Sequence, residues 1–125
     1  MTGVAPPRLA DYLGHIVQAI QRARRYVAAH GQVSFAGDEK TQDAVLRNIE
    51  VMGEAARNVQ RHHPDFAATH PEVPWALMVG MRNRVSHGYF AVDWDLIWAT
   101  LQHDLPPLEA QITALRAMLA GGLRD

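Results

Sequence analysis

Apolar side chains recur at three- and four-residue steps along almost the whole chain, the period of helices that bury one face. Leu9, Leu13, Ile16, Ile20 and Val27 form one stripe and predict a first helix from about Leu9 to Ala29, stopped at His30-Gly31. Val45, Ile49, Met52, Ala56 and Val59 form a second stripe and predict a helix from about Thr41 to Arg61. Asp38 suits its N-cap, Glu39 and Asp43 favour its positive start, and Pro64 ends it. Pro74 suits the first turn of a third helix carrying Trp75, Leu77, Met78 and Met81, with Gly88 as its stop. A last helix starts near Asp93, and Trp94, Ile97, Trp98, Leu101, Leu105, Leu108, Ile112, Leu115 and Leu119 keep one face apolar along it. Pro106-Pro107 interrupts its backbone but not its stripe, which predicts a kink or break there.

The rest reads as connection. Residues 1–7 end in Pro6-Pro7 and form a loose tail. "GQVSFAGDEKTQ" is a loop with strand-like Val33 and Phe35 but no partner strand, and "HHPDFAATHPEVP" is a linker. The expected fold is all-α, one domain over residues 1–125, built as an antiparallel bundle of four to five helices with short links.

A chain of 125 residues buries roughly two-thirds of its unfolded surface and needs no staple. It has no cysteine, which excludes structural disulfides, thiolate metal sites and thiol catalysis. The N-terminus lacks a basic segment followed by a long apolar run, and no apolar stretch approaches the ~18 residues of a membrane span. A soluble, cytoplasmic protein without a membrane partner is expected. The net charge of −1 argues against an overall electrostatic grip on nucleic acid. Lys40 is the single lysine among twelve basic residues. The codon usage of a GC-rich genome accounts for that bias, and composition alone says nothing about RNA.

One stretch, "MRNRVSHGYF" from Met81 to Phe90, concentrates polar chemistry. Arg82 is always charged and can hold a phosphate through two bonds. His87 belongs to the residue type whose ordinary pKa lies nearest neutrality, so it can give and take protons. Together they supply the minimum for cleaving RNA without a metal: a base for the ribose 2′-OH and a cation for the charge gathering at phosphorus. Five residues at ~100° each put the two about 140° apart on a straight helix, so they converge only if the helix ends or distorts between them. Gly88 makes such an end credible. An Arg followed by a His after four to six intervening residues is weak evidence, because Arg8/His15, Arg24/His30, Arg25/His30, Arg57/His62 and Arg57/His63 also satisfy it. What sets Arg82/His87 apart is its company: Asn83, Gly88, Tyr89 and a helix on either side.

With that company in view, "GMRNRVSHGYFAVDWDLIWATLQHDLPPL" resembles the signature of HepT-like proteins, a branch of the HEPN superfamily. The family's motif is Arg, four to six residues, His, one residue and Tyr, matched here by Arg82, His87 and Tyr89. "DEKTQDAVLRNIEVMGEAA" resembles the family's second helix, with its Gly53-Glu54-Ala55-Ala56, and "VPWALMVGMRN" and "DLPPL" follow in order. The likeness covers roughly residues 9 to 110. It implies an all-helical homodimer with the motifs facing each other across a composite cleft. It further implies a metal-independent endoribonuclease toxin of a type VII toxin–antitoxin pair. The partner it implies is a small MntA-type nucleotidyltransferase antitoxin that transfers AMP units onto the motif tyrosine. Arg82 and His87 are then the catalytic pair, Asn83 a supporting residue and Tyr89 the AMPylation site. No cofactor is implied, and tRNA and mRNA both stay open as targets.

Two other classes of function remain beside this one. One is a non-catalytic module that presents Tyr89 to a nucleotidyltransferase; the other is a structural bundle acting as an antitoxin or adaptor. His62, His63 and His70 surround a proline-rich linker without a second ligand set at helical spacing, so no metal site is assigned. Trp75, Trp94 and Trp98 read as core or dimer interface. Glu54 either faces the motif helix or lies on a solvated face. Gly53, inside a helix at roughly 1 kcal/mol against Ala, is explained by a close helix crossing.

Overall fold

The computed structural model describes residues 7–87 and 92–122. Among them are seven α-helical segments and one π turn, and no strand. Helix α1 covers Pro7–Val27, α2 Gln32–Ala36, α3 Glu39–His62, α4 Pro64–Thr69 and α5 Trp75–Ser86. Helix α6, Trp94–Ala99, passes through the π turn Thr100–Asp104 into α7, Leu105–Gly122. Four long rods thus form the expected all-α bundle, with α2 and α4 as short additions.

The rods pack in the order α5, α3, α1, α7. Their ties show that each neighbouring pair is antiparallel. Tyr12, early in α1, stacks on His62 at the end of α3. Arg24, late in α1, pairs with Glu109, early in α7, at 2.7 Å, while Gly14 lies against Arg116. Glu54 of α3 meets Arg82 of α5, and the earlier Glu50 meets the later Ser86. Leu13, Ile16, Ile20, Val45, Ile49, Met52, Val59, Met78, Leu101 and Ile112 fill the core between the rods. These are the apolar stripes read from the sequence, turned inward by their helical period.

The expected caps of the long helices hold. The Asp38 side chain accepts from Thr41 N at the start of α3, and that of Asp93 accepts from Leu96 N at the start of α6. Three expectations need correction, and a fourth takes a specific form. Helix α1 begins at Pro7, so Pro7 is not part of a tail; residues 1–6 lie outside the described residues. The loop "GQVSFAGDEKTQ" contains α2. Its Phe35 is fully buried and packs against Trp94 and Trp98, and Gln42 Nε2 donates to the Phe35 and Ala36 carbonyls at its end. The linker "HHPDFAATHPEVP" contains α4, for which Pro64 is a starting residue rather than only the stop of α3.

The fourth concerns Pro106-Pro107, where the expected kink or break takes the form of a π turn that interrupts the α-helix just before the prolines. Both prolines fall in the first turn of α7, where missing N–H donors would orphan carbonyls of the turn before. That turn is widened to π form, with Leu105 N–H reaching Thr100 O. Among the described residues, no helix is long and apolar enough to cross a membrane.

Candidate active site at the end of α5

Helix α5 is anchored at its start. Trp75 and Met78 are its buried residues, and Trp75 Nε1 donates to the His70 carbonyl at 3.1 Å. The following turns carry Arg82, Asn83, Ser86 and then His87, which is the C-cap with φ −84° and ψ 8°. The helix runs on through Ser86, and the His87 N–H still closes a helical bond to the Asn83 carbonyl, so the end expected between Arg82 and His87 comes only at His87 itself. Gly88, expected as the stop, and Tyr89 lie outside the described residues.

Asn83 contacts both Arg82 and His87. Arg82 Nη1 donates to Asn83 Oδ1 at 3.2 Å, and His87 Nδ1 donates to the Asn83 main-chain carbonyl at 2.6 Å. The His87 backbone N–H bonds to that same carbonyl at 3.1 Å. A carbonyl oxygen can only accept, so Nδ1 carries its hydrogen. In the neutral ring Nε2 is then the nitrogen that can take a proton. The His87 side chain is exposed and that of Arg82 is one-quarter exposed.

Helix α3 forms the other wall. A Cβ built on Gly53 would overlap the Cβ of Arg82 and come within 2.7 Å of the Met78 carbonyl oxygen. The close crossing expected at Gly53 is present, and it seats the Arg82 stem on α3. Glu54 faces the motif helix: its Oε1 lies 3.6 Å from Arg82 Nη2. Beside it is a cleft of about 300 Å³ lined by His15, Arg47, Glu50, Val51, Glu54, Ala55, Asn58 and Arg82.

Two residues here were not singled out from sequence. Glu50 accepts from Ser86 Oγ at 3.0 Å. Its signal was available, since Glu50 and Glu54 are one helical turn apart and share a face. The three other histidines weighed for metal sit against aromatic rings. His62 and His63 lie against Tyr12, and His70 lies against Phe66. Trp75 is core, while Trp94 and Trp98 are half-buried around Phe35.

Residues 16–115 match the family described as Ribonuclease HepT-like. The chain is 39% identical over 106 residues to a Thermococcus cleftensis protein named "Probable ribonuclease HepT", covering 85% of this chain and 94% of that one. It is 34% identical over 101 residues to a Caldanaerobacter subterraneus protein named as a putative RNase, covering 81% and 88% of the two chains. No solved structure is significantly similar to the chain.

Proposed function

The chain belongs to the ribonuclease HepT-like family, and from that premise we propose that it is an endoribonuclease that cleaves RNA without a metal ion. The observation that carries the reading is the Asn83 junction: a cation and a proton carrier fixed to one residue at a helix end. His87 takes the proton of a ribose 2′-OH at Nε2, and the oxygen attacks the adjacent phosphorus. Arg82 holds the phosphate and stabilises the charge that gathers on its oxygens. The bond from phosphorus to the 5′-oxygen breaks, and that oxygen takes a proton from an acid. The products are a 2′,3′-cyclic phosphate and a 5′-hydroxyl. The nucleophile is part of the substrate, so the reaction requires no metal-made hydroxide.

The active form in this reading is a homodimer with two motifs facing across one cleft, so that one His87 serves as base and a second copy as acid. The protein is the toxin of a type VII pair. Its antitoxin is an MntA-type nucleotidyltransferase that attaches AMP to Tyr89, two residues from His87. AMP there adds bulk and negative charge that block RNA entry. The family resemblance of "RNRVSHGY" supports this control.

The test is RNA incubated with purified protein in excess EDTA. Cleavage by wild type and none by His87→Ala is expected; no cleavage by unmodified wild type would instead favour a module that only presents Tyr89. For the control, Tyr89→Phe is expected to cleave RNA and to resist inhibition by the nucleotidyltransferase and ATP. Full inhibition of Tyr89→Phe would remove Tyr89 as the modified residue.

A further inference from the structure

The half of α5 that carries the motif has no fully buried anchor. Trp75 and Met78 fix its first turns, and beyond them the half-buried Val79, Met81 and Val85 reach the core. Polar ties to α3 also hold this segment. Helix α3 presents Glu50 and Glu54 one turn apart, and α5, running the other way, presents Arg82 and Ser86 one turn apart. The two pairs are in register: Glu54 Oε1 lies 3.6 Å from Arg82 Nη2, and Ser86 Oγ donates to Glu50 Oε2 at 3.0 Å.

We infer that Glu54 and Glu50 are positioning residues that brace Arg82 and the helix end bearing His87. The inference rests on the ribonuclease reading above. Three features support a role in orientation rather than in stability. The Glu54 side chain is 48% exposed, and an ion pair so exposed adds little to folding. The Arg82 stem is already pressed onto α3 at Gly53, so what stays loose is the rotation of the guanidinium. Glu54 and Asn83 engage its two terminal nitrogens from different sides, Nη2 and Nη1 respectively. Asn83 takes one of the five N–H donors and the Glu54 contact at 3.6 Å is an ion pair rather than a hydrogen bond, so donors are left for phosphate oxygens. Glu50 acts one step further along. It holds Ser86, the residue before His87, and so keeps the last turn closed where the Asn83 carbonyl receives the His87 ring.

The experiment is steady-state cleavage of a short fluorogenic RNA by the full chain and its variants, with melting temperatures measured in parallel. Glu54→Ala is expected to lower kcat roughly 10- to 100-fold, the scale of a misplaced catalytic group, with KM nearly unchanged. Glu54→Gln keeps an acceptor for Arg82 and is expected to recover part of that loss. Glu50→Ala and Ser86→Ala are expected to lower kcat equally, and the double variant no further. Wild-type kcat in Glu54→Ala and Glu50→Ala would overturn the inference, as would a loss explained wholly by unfolding. If wild type cleaves no RNA, the ribonuclease reading falls, and the brace is judged by ¹⁵N relaxation at Arg82 Nε. Order in wild type that is lost in Glu54→Ala supports the brace, and equal order in both overturns it.

Discussion

Gly53 and Arg82 sit where α3 and α5 cross, so close that any side chain at Gly53 would strike the Arg82 Cβ. The obstacle is not the mobile end of a side chain but its root and the neighbouring Met78 carbonyl. Gly53→Ala gains roughly 1 kcal/mol of helix propensity, yet it forces the helices apart at an overpacking cost of about 1–3 kcal/mol. A net loss of stability in urea denaturation is expected, with a fall in RNA cleavage because Arg82 moves with α5. A more stable protein would show that the crossing is looser than described.

Gly80, one turn nearer the motif than Trp75 and Ala76, is the contrasting case. A Cβ there meets nothing within 4 Å among the described residues. Gly80→Ala is therefore expected to raise stability by up to roughly 1 kcal/mol, the propensity difference alone. Thermal or chemical denaturation reads this directly. A destabilised Gly80→Ala would mean that this face of α5 is covered in solution.

Asn83 serves its two partners differently, through its side chain for Arg82 and through its main chain for His87. Asn83→Ala removes only the first. Cleavage is expected to fall roughly tenfold, the scale of one lost hydrogen bond to a charged group, while the His87 Nδ1 hydrogen keeps its acceptor. The NMR signature of the His87 tautomer is expected to be unchanged in that variant. A switch of tautomer would show that the side chain, not the carbonyl, sets the ring.

Asp38 gives a stability effect with a defined pH sense. The Thr41 hydroxyl and then the Thr41 backbone N–H hold its carboxyl below the ordinary value, with His30 adding attraction. The folded pKa is thus below the unfolded one. The stabilisation is complete above the unfolded value, about 4, and is lost as pH falls through the lowered folded value. Asp38→Ala is expected to be less stable than wild type near neutrality, with the gap narrowing in acid. A gap that stays constant down to about pH 2 would place the capping effect in the neutral side chain instead.

What could be read from the chain, and what could not, divides along physical lines. The stripes of α1, α3 and α7 and the caps Asp38 and Asp93 are local signals, and they predict the bundle. Helix α2 escapes such reading because Val33 and Phe35 alternate like a strand, and besides the local Ser34–Gly31 cap it is Trp94, Trp98 and Gln42 from elsewhere that make a helical turn there favourable. At Pro106 the local rule names a defect, but its repair, a π turn five residues long, depends on the packing of the whole rod. The site shows the same division. Arg82, Asn83 and His87 are neighbours in sequence and could be found together. Glu50 and Glu54 join them only through the register of α3 against α5, for which Gly53 and the one-turn spacing of the two glutamates were the local hints. Tyr89 rests on the family resemblance, beyond the described residues.

The central claim is that RNA is cut by attack of its own 2′-oxygen, with His87 and Arg82 as the acting groups. The most direct measurement is the chemical nature of the new RNA ends, read by mass spectrometry after cleavage by wild-type protein in excess EDTA. A 2′,3′-cyclic phosphate paired with a 5′-hydroxyl, absent with His87→Ala and blocked by 2′-O-methylation at the cleaved ribose, is the expected result. A 5′-phosphate end, or cleavage that persists on the 2′-O-methylated RNA, would contradict the account.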